Sequence, residues 1–444
     1  MTPSTATPFA PIHLAPDPAA TRLLTGWYET GRPATLTDHL RRYGPPPVDR
    51  TLGGRGIPPL VDIVEAAGLT GRGGAGFPAA TKLRAVTERR GRAVVVVNAM
   101  ESEPASCKDQ FLLGVAPHLV LDGAVLAATA VGADTVHVCV PRTRTTQYRR
   151  VAEALDQRRR ARLDRVRLLP HALPHAYVSS ESTSLVRWLN GGPARPQGNR
   201  PRTHERGVGK RPTLVHNAET LAHLALITRY GSDWFRQTGT RDEPGTMLVT
   251  VSDANTVPAV FEIRIGTTLS AILDLAGHSW EPKPTILIGG FAGTWLPAEC
   301  GHTPLSRCSL AEVNAAPGAG VLVALPRAAC GLSETARMLT YLAAHSAAQC
   351  GPCRFGLPSV AEDFTALATG RTDPDLLSRL HRRIGLLPDR GACRHPDGAA
   401  RLAASALHVF SDDVHRHLTH AACPSAHHPP RILVPPAAPP ETWR

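Results

Sequence analysis

Residues 68–82 read GLTGRGGAGFPAATK, and Gly71, Gly73, Gly74 and Gly76 crowd this one short stretch. Glycine reaches positive φ without a Cβ penalty and lets backbone N–H groups come close to a ligand. Residues 79–86 then have the composition of a helix, so the stretch predicts a Gly-rich loop opening a helix. Such a loop cradles phosphate on free N–H groups, and Lys82 supplies a countercharge. No Gly-Lys-Ser/Thr follows, so this is not a Walker loop, nor is it the usual dinucleotide fingerprint. The bland alternative is a glycine-rich surface loop.

The next segment, 94–110, reads VVVVNAMESEPASCKDQ. Residues 93–97 form a continuous apolar run, the pattern of a buried strand. The run ends in Asn98, followed by Glu101 and Glu103. Ligands of open α/β sheets bind outside the carboxyl ends of strands, so these three side chains are candidates to meet one. The alternative is an ordinary polar turn. Outward from here the pattern stays α/β, with a helix at 119–131, strands at 135–140 and 166–169, and helices near 181–189 and 217–230. A second unit starts near Pro244, with strands at 247–252, 259–266, 285–290 and 321–325 and a short helix at 269–276, the order of a β-grasp. Helical spacing then marks 333–344, 360–369, 373–387 and 398–418, which fit a four-helix bundle. Ser333, Glu334, Asp373 and Asp375 stand at helix starts, where they satisfy free N–H groups.

A chain of 444 residues is too long for one ordinary core and fits two to four domains. The formal charge is +12, yet lysine occurs only at Lys82, Lys108, Lys210 and Lys283, so arginine carries the excess. The dense run 158–167 reads as a solvated helix end. No nucleic-acid-binding signature accompanies it, so nucleic acid is not expected and an acidic protein partner is. The nine cysteines are odd in number and scattered, unlike a secreted disulfide framework. Neither a signal peptide nor an apolar run of membrane-spanning length is present, which leads to the expectation of a cytoplasmic protein without direct membrane insertion.

The glycine loop and the segment after it resemble the NADH-oxidising flavoprotein subunit of respiratory complex I and of soluble hydrogenases and formate dehydrogenases. That family carries a GRGGAGFP loop followed by N-A-D-E-x-E-P. The resemblance continues through AYVSSESTSL (176–185), RPTLVHNAET (211–220) and CGPCR (350–354). The chain before about Thr21 is Pro/Ala/Thr-rich and reads as a loose start to an N-terminal arm at 1–50, while the resemblance, over roughly 57–418, implies a Rossmann-like FMN- and NADH-binding α/β domain at 51–243 and a β-grasp domain of SLBB type at 244–327. It also implies a helical iron–sulfur domain at 328–422, and the Pro/His-rich composition after that reads as a disordered tail at 423–444. By the same resemblance Gly71, Arg72, Gly73, Gly74 and Lys82 line the FMN phosphate and ring, and Asn98 holds the flavin. Phe77 stacks near the nicotinamide nucleotide and Glu103 contacts the NADH ribose. Glu101, Tyr177, Glu181, Asn217 and Thr220 complete the cofactor-binding set. The turn Ile288-Gly289-Gly290-Phe291 matches the family's β-grasp.

The sequence also departs from the pattern. Met100 replaces the Asp after Asn98-Ala99, removing an acceptor for ribityl hydroxyls. Ser180 and Ser182 replace the Gly and second Glu of G-E-E-T, and His216 replaces an Asn. The family's Lys-Pro-Pro-Phe-Pro run is Asn199-Arg200-Pro201-Arg202-Thr203 here, in which Arg202 offers a guanidinium plane to an adenine.

Thiolates two residues apart at a helix end, completed by a distant Cys, converge on a cluster. Cys350 and Cys353 match the second and third family ligands and Cys393 the fourth, whereas the first position is Ala347. Three readings stay open. They are a 4Fe–4S cluster with an unusual fourth ligand such as His345, a three-iron cluster, or a lost cluster whose cysteines form a disulfide or a zinc site. The remaining six cysteines read as buried or idle thiols. The function implied is hydride transfer from NADH to FMN, then electron transfer through the cluster to an acidic ferredoxin or thioredoxin-like iron–sulfur subunit. The alternatives are a degenerate homologue serving as scaffold or sensor, and a ligand-binding β-grasp module with a silent flavin domain.

Overall fold

The structure, a computed structural model, describes residues 21–53, 59–198, 201–253, 257–277, 284–419, 423, 430–436 and 443. Four strands, β1 (Val94–Asn98), β2 (Thr135–Pro141), β3 (Arg167–Leu173) and β4 (Thr213–Asn217), form a parallel sheet in the order β3-β2-β1-β4. β1 is apolar on both faces because both are covered. Val95 and Val97 join one core, and Val94 and Val96 the other. The helix Pro117–Ala130 is buried almost all round, against helix Ala218–Arg236. Gly123 makes that contact possible, since a Cβ there would lie 1.8 Å from the Leu221 carbonyl oxygen.

Strand order reverses between β1 and β4. Their register sets Asn98 opposite Asn217, so both amides stand at the carboxyl end of the sheet at its switch point. The sequence reading missed β4, which lies inside the RPTLVHNAET motif.

Five more strands, β5 (Thr246–Asp253), β6 (Ala259–Arg264), β7 (Thr285–Ile288), β8 (Thr294–Leu296) and β9 (Val321–Leu325), form a mixed sheet ordered β6-β5-β9-β7-β8. The period-two alternation of β9 explains its place. Val321, Val323 and Leu325 face the helical unit, whereas Leu322 and Ala324 face the core beneath helix Leu269–Leu275.

Among the described residues the helical unit has five α-helices, Gly331–Ala344, Leu357–Ala368, Leu376–Gly385, His395–Val409 and Ser411–Leu418. The single helix expected over 398–418 is broken at Phe410, whose ring packs edge-on against Trp295 and over Gly331. The segment read as an N-terminal arm is, from Thr21 onward, part of the folded body. Glu262 accepts the N–H groups of Arg22, Leu23 and Leu24, and both leucines are buried in the first core. Residues 1–20 lie outside the described residues. The tail read as disordered is also partly held. Glu334 accepts the Arg431 and Ile432 N–H groups, and Ile432 is buried. Of the tail's other residues, 424–429, 437–442 and 444 lie outside the described ones.

Arg158 corrects the reading of the arginine run as a solvated face. It is fully buried between Asp122 and Asp164, at 2.8 and 2.7 Å, while Arg159 and Arg160 are exposed. Among the described residues no single helix is long and apolar enough to cross a membrane.

Candidate functional site

At the carboxyl end of the parallel sheet lie two adjoining chambers of about 490 and 400 Å³, sharing Gly73, Asn98, Ser180, Asn217 and Arg394 as walls. The larger is closed by Gly289 and Gly318 of the second unit and by Gly398 and Arg401 of the helical unit. The smaller opens past Phe77 and reaches Cys393.

The glycine loop folds as the sequence predicts. The Gly71 N–H donates to the Phe77 carbonyl at 2.9 Å, pinching the loop at its base ahead of helix Ala79–Thr87. Gly74, at φ +102°, adopts a conformation that L side chains rarely reach, and a Cβ on Gly73 would press on Asn217 at 3.3 Å. Arg72 is anchored twice, its N–H donating to Thr220 Oγ1 at 2.9 Å and its Nη1 to Thr70 Oγ1 at 2.7 Å. Its Nε and Nη2 are buried without a protein acceptor. Burial lowers the guanidinium's pKa, against the pull of Glu219 and Glu243. Lys82 is similar. Among the described residues its Nζ makes one hydrogen bond, to the Val215 carbonyl at 3.4 Å, and lies 6.0 Å from the centre of the Phe77 ring; burial lowers its pKa against the opposing field of Glu181. A buried and a half-buried cation beside a glycine cradle suit an anionic ligand.

The other lysine of the motif is committed internally. Lys108 Nζ lies 2.8 Å from both Asp109 and Glu219. Burial works against its charge, but these carboxylates outweigh it and raise the pKa. Asn217 Nδ2 donates to Asp109 and, at 3.3 Å, to the Asn98 carbonyl. Asn98 Nδ2 donates to the Ser180 carbonyl at 2.8 Å. This network fixes both amides at the wall shared by the two chambers.

The four remaining expected residues divide by what they hold. Glu101, at φ +28°, accepts from Ser106, Arg144 and the N–H groups of Asp109 and Gln110. It thereby caps helix Lys108–Val115 from the chamber wall. Glu181 caps helix Ser182–Leu189 through the Thr183 and Ser184 N–H groups. Glu103 lies in the larger chamber, where it accepts from Tyr177 Oη at 2.9 Å and from the Phe291 N–H at 3.0 Å. Burial pushes its carboxyl up to about 7, against those hydrogen bonds. A Cβ on Gly290 would strike this carboxylate, which explains the second glycine of that turn.

The departures have structural counterparts. Met100 points away from both chambers into the core formed by Val94, Val96, Cys139 and Leu185. Ser180 lines both chambers and bonds to Ser102, and Ser182 lines the smaller. His216 faces the smaller chamber with Nε2 unpartnered, pushed down to about 3 by burial and then by Lys82. Arg202 lines neither chamber, and Asn199 and Arg200 lie outside the described residues. Sequence reading missed Arg307, which donates to the Ala75 carbonyl and lies over Gly76, and Arg394, which directly follows Cys393. Proximity to the expected ligand was a usable signal for Arg394, and none existed for Arg307.

Cys350, Cys353 and Cys393 are brought together as thiols, with no disulfide between them. Burial raises the Cys353 pKa, and neighbouring Cys350 and Cys393 raise it further. The three sulfurs do not all lie within 4.8 Å of one another, a wider spacing than one metal ion bridges. Ala347 is buried beside them in sequence, followed by Ala348 at φ +52°. His345 stacks on Tyr341 with centroids 4.0 Å apart.

Comparison with known proteins matches residues 64–226 to the Nuo51 FMN-binding domain and residues 333–417 to the NADH-ubiquinone oxidoreductase-F iron-sulfur binding region. The NADH-quinone oxidoreductase F protein of Mycobacterium bovis is 30% identical over 392 residues, covering 83% of this chain and 87% of that one. Its counterpart in Streptomyces coelicolor is 29% identical over 384 residues, covering 82% and 84%. Among solved structures, an NAD+-reducing [NiFe]-hydrogenase in the air-oxidised state superposes with a TM-score of 0.78 at 28% identity. That match covers 90% of this chain and 67% of the other.

Proposed function

This chain belongs to the NADH-quinone oxidoreductase F family, and on that premise we propose that it is an electron-transfer flavoprotein that oxidises NADH through FMN and an iron–sulfur cluster. The observation that carries the reading is the pair of cations beside the glycine cradle, buried Arg72 with two unpartnered nitrogens and half-buried Lys82 with one long hydrogen bond. FMN supplies what the side chains cannot, accepting a hydride and releasing electrons singly. The residues present fit it. Gly71, Gly73 and Gly74 give backbone approach, Arg72 and Lys82 give positive charge, and Asn98, Asn217 and Thr220 fix the wall. Phe77, 45% exposed at the mouth, offers a stacking face to the nicotinamide nucleotide. Glu103 and Tyr177 present acceptor and donor groups to ribose hydroxyls, while Glu101 and Glu181 hold the loops that carry them.

Cys350, Cys353 and Cys393 would hold the cluster, and their spacing favours a polynuclear group over a single ion. With Ala347 in place of a thiol, the fourth ligand comes from elsewhere. The mixed sheet, with its first and last strands parallel and central, supports the β-grasp reading of 244–327. The domain limits 51–243 and 328–422 are part of the same proposal, with the arm's residues from 21 onward assigned to the first domain. The electron acceptor is an acidic iron–sulfur protein docking at the exposed Phe355 and Arg354, next to Cys353.

Binding of FMN to the purified chain, followed by quenching of flavin fluorescence, tests the proposal. Saturable binding that weakens at least tenfold in Lys82→Met supports it, and no quenching at any FMN concentration refutes it. Electron transfer to an acidic ferredoxin should slow as salt rises. A salt-independent rate removes the docking part alone.

A further inference from the structure

Outside the cleft, two cysteines and a histidine meet where the sequence motifs place no ligand. We propose that Cys330, His417 and Cys423 form a structural zinc site that fastens the ends of the helical unit. Their ligating atoms all lie within 4.8 Å of one another and all three residues are buried. Among the described residues no other trio of His, Cys, Asp or Glu does this.

The geometry suits a tetrahedral ion. Zn–S and Zn–N bonds of about 2.3 and 2.0–2.1 Å place neighbouring ligand atoms roughly 3.5–3.8 Å apart. Cys330 Sγ and His417 Nε2 are already 3.8 Å apart, so loading asks for shifts of about an ångström or less. His417 Nδ1 lies 3.1 Å from the Leu367 carbonyl oxygen. A carbonyl only accepts, so the proton resides on Nδ1 and the Nε2 lone pair faces Cys330. This outer hydrogen bond orients histidine ligands in metal sites. Cys330 is the N-cap of helix Gly331–Ala344 and its sulfur accepts from the Ser333 N–H at 3.4 Å. Asp413 Oδ1, 3.8 Å from Cys423 Sγ, is ion-paired with Arg416 at 2.8 Å and lies outside the trio, so water takes the fourth position. Two thiolates and an imidazole select zinc over magnesium or calcium.

The placement explains the role. Cys330 opens the first helix of the unit, His417 is in the last and Cys423 lies beyond it. An ion joining them closes a long loop and restricts the unfolded chain, so metal binding adds to folding stability.

The test measures zinc and iron together in the full-length protein, in Cys423→Ser, and in a Cys350→Ser/Cys353→Ser/Cys393→Ser chain. The triple variant removes the other thiol group as a source of zinc. We expect about one zinc per chain in the wild type and the triple variant, and loss of zinc but not iron in Cys423→Ser. Cobalt added to the metal-stripped triple variant should give thiolate charge-transfer and tetrahedral ligand-field bands that vanish in Cys330→Ser. A chelator should lower the triple variant's melting temperature. Zinc absent from the wild type after zinc supplementation, or unchanged in Cys423→Ser, overturns the proposal. So does a Cys330–Cys423 disulfide in peptides mapped without reductant. If the triple variant fails to fold, zinc and iron in the wild type and Cys423→Ser decide the matter alone.

Discussion

Asn98 and Asn217 are register partners at the ends of β1 and β4, and the Asn217 amide donates to the Asn98 carbonyl at 3.3 Å. Each comes from a different motif, and only the reversal of strand order between β1 and β4 brings them together. Asn98→Ala removes the bond to the Ser180 carbonyl and an amide from the shared wall. It should cost about 1 kcal/mol of stability and at least about tenfold in FMN affinity. Unfolding curves and a flavin titration check both numbers, and unchanged affinity would remove Asn98 from the site.

Arg72 carries a desolvated charge with two unpartnered nitrogens, Nε and Nη2. Arg72→Met should therefore leave the ligand-free protein as stable as before or more so, while weakening FMN by roughly 10- to 100-fold, the loss of a charged hydrogen bond. Thermal melts with and without FMN should show the two effects with opposite signs. A variant destabilised equally in both would make Arg72 purely structural.

Glu103 has a folded-state pKa of about 7 against an ordinary 4.5, because burial favours its neutral form. Between those values the folded chain holds a proton that the unfolded chain has released, so this group's contribution to stability is lost as pH rises from 4.5 through 7. Glu103→Gln should flatten that part of the stability profile and keep the Tyr177 contact. An unchanged slope in melting temperature across this range would contradict the assignment.

Met100 stands where the N-A-D-E pattern this segment resembles calls for Asp, yet its side chain is fully buried in an apolar core. Met100→Asp should not improve flavin binding. It should instead destabilise the fold by about 3 kcal/mol, the cost of burying an unpaired polar group there. Higher FMN affinity without loss of stability would show that this loop turns toward the cleft.

What was legible in the sequence followed from local chemistry. The glycine loop, β1 and the thiols at 350 and 353 carry their signals within a few residues, and Cys393 was found only through the family pattern. The roles of Glu101 and Glu181 were less legible, because a carboxylate capping a helix and one binding a ligand look alike in sequence. Lys108 was similar, since only the fold reveals Asp109 and Glu219 on either side of its ammonium. Arg307 reaches the loop from the second unit, and the Cys330–His417–Cys423 trio spans the whole helical unit. Neither has a spacing that a linear reading can detect. Leu23 and Leu24 were overlooked because a Pro/Ala/Thr-rich flank masked two apolar residues that Glu262 holds in the core.

The most direct test of the account is the visible spectrum of the chain purified without air and reconstituted with FMN, iron and sulfide, before and after NADH. The expected result is a flavin spectrum over a broad iron–sulfur absorbance, with both bleached by NADH. A colourless protein that takes up neither cofactor, or a bound flavin that NADH leaves unchanged, would contradict the proposed function.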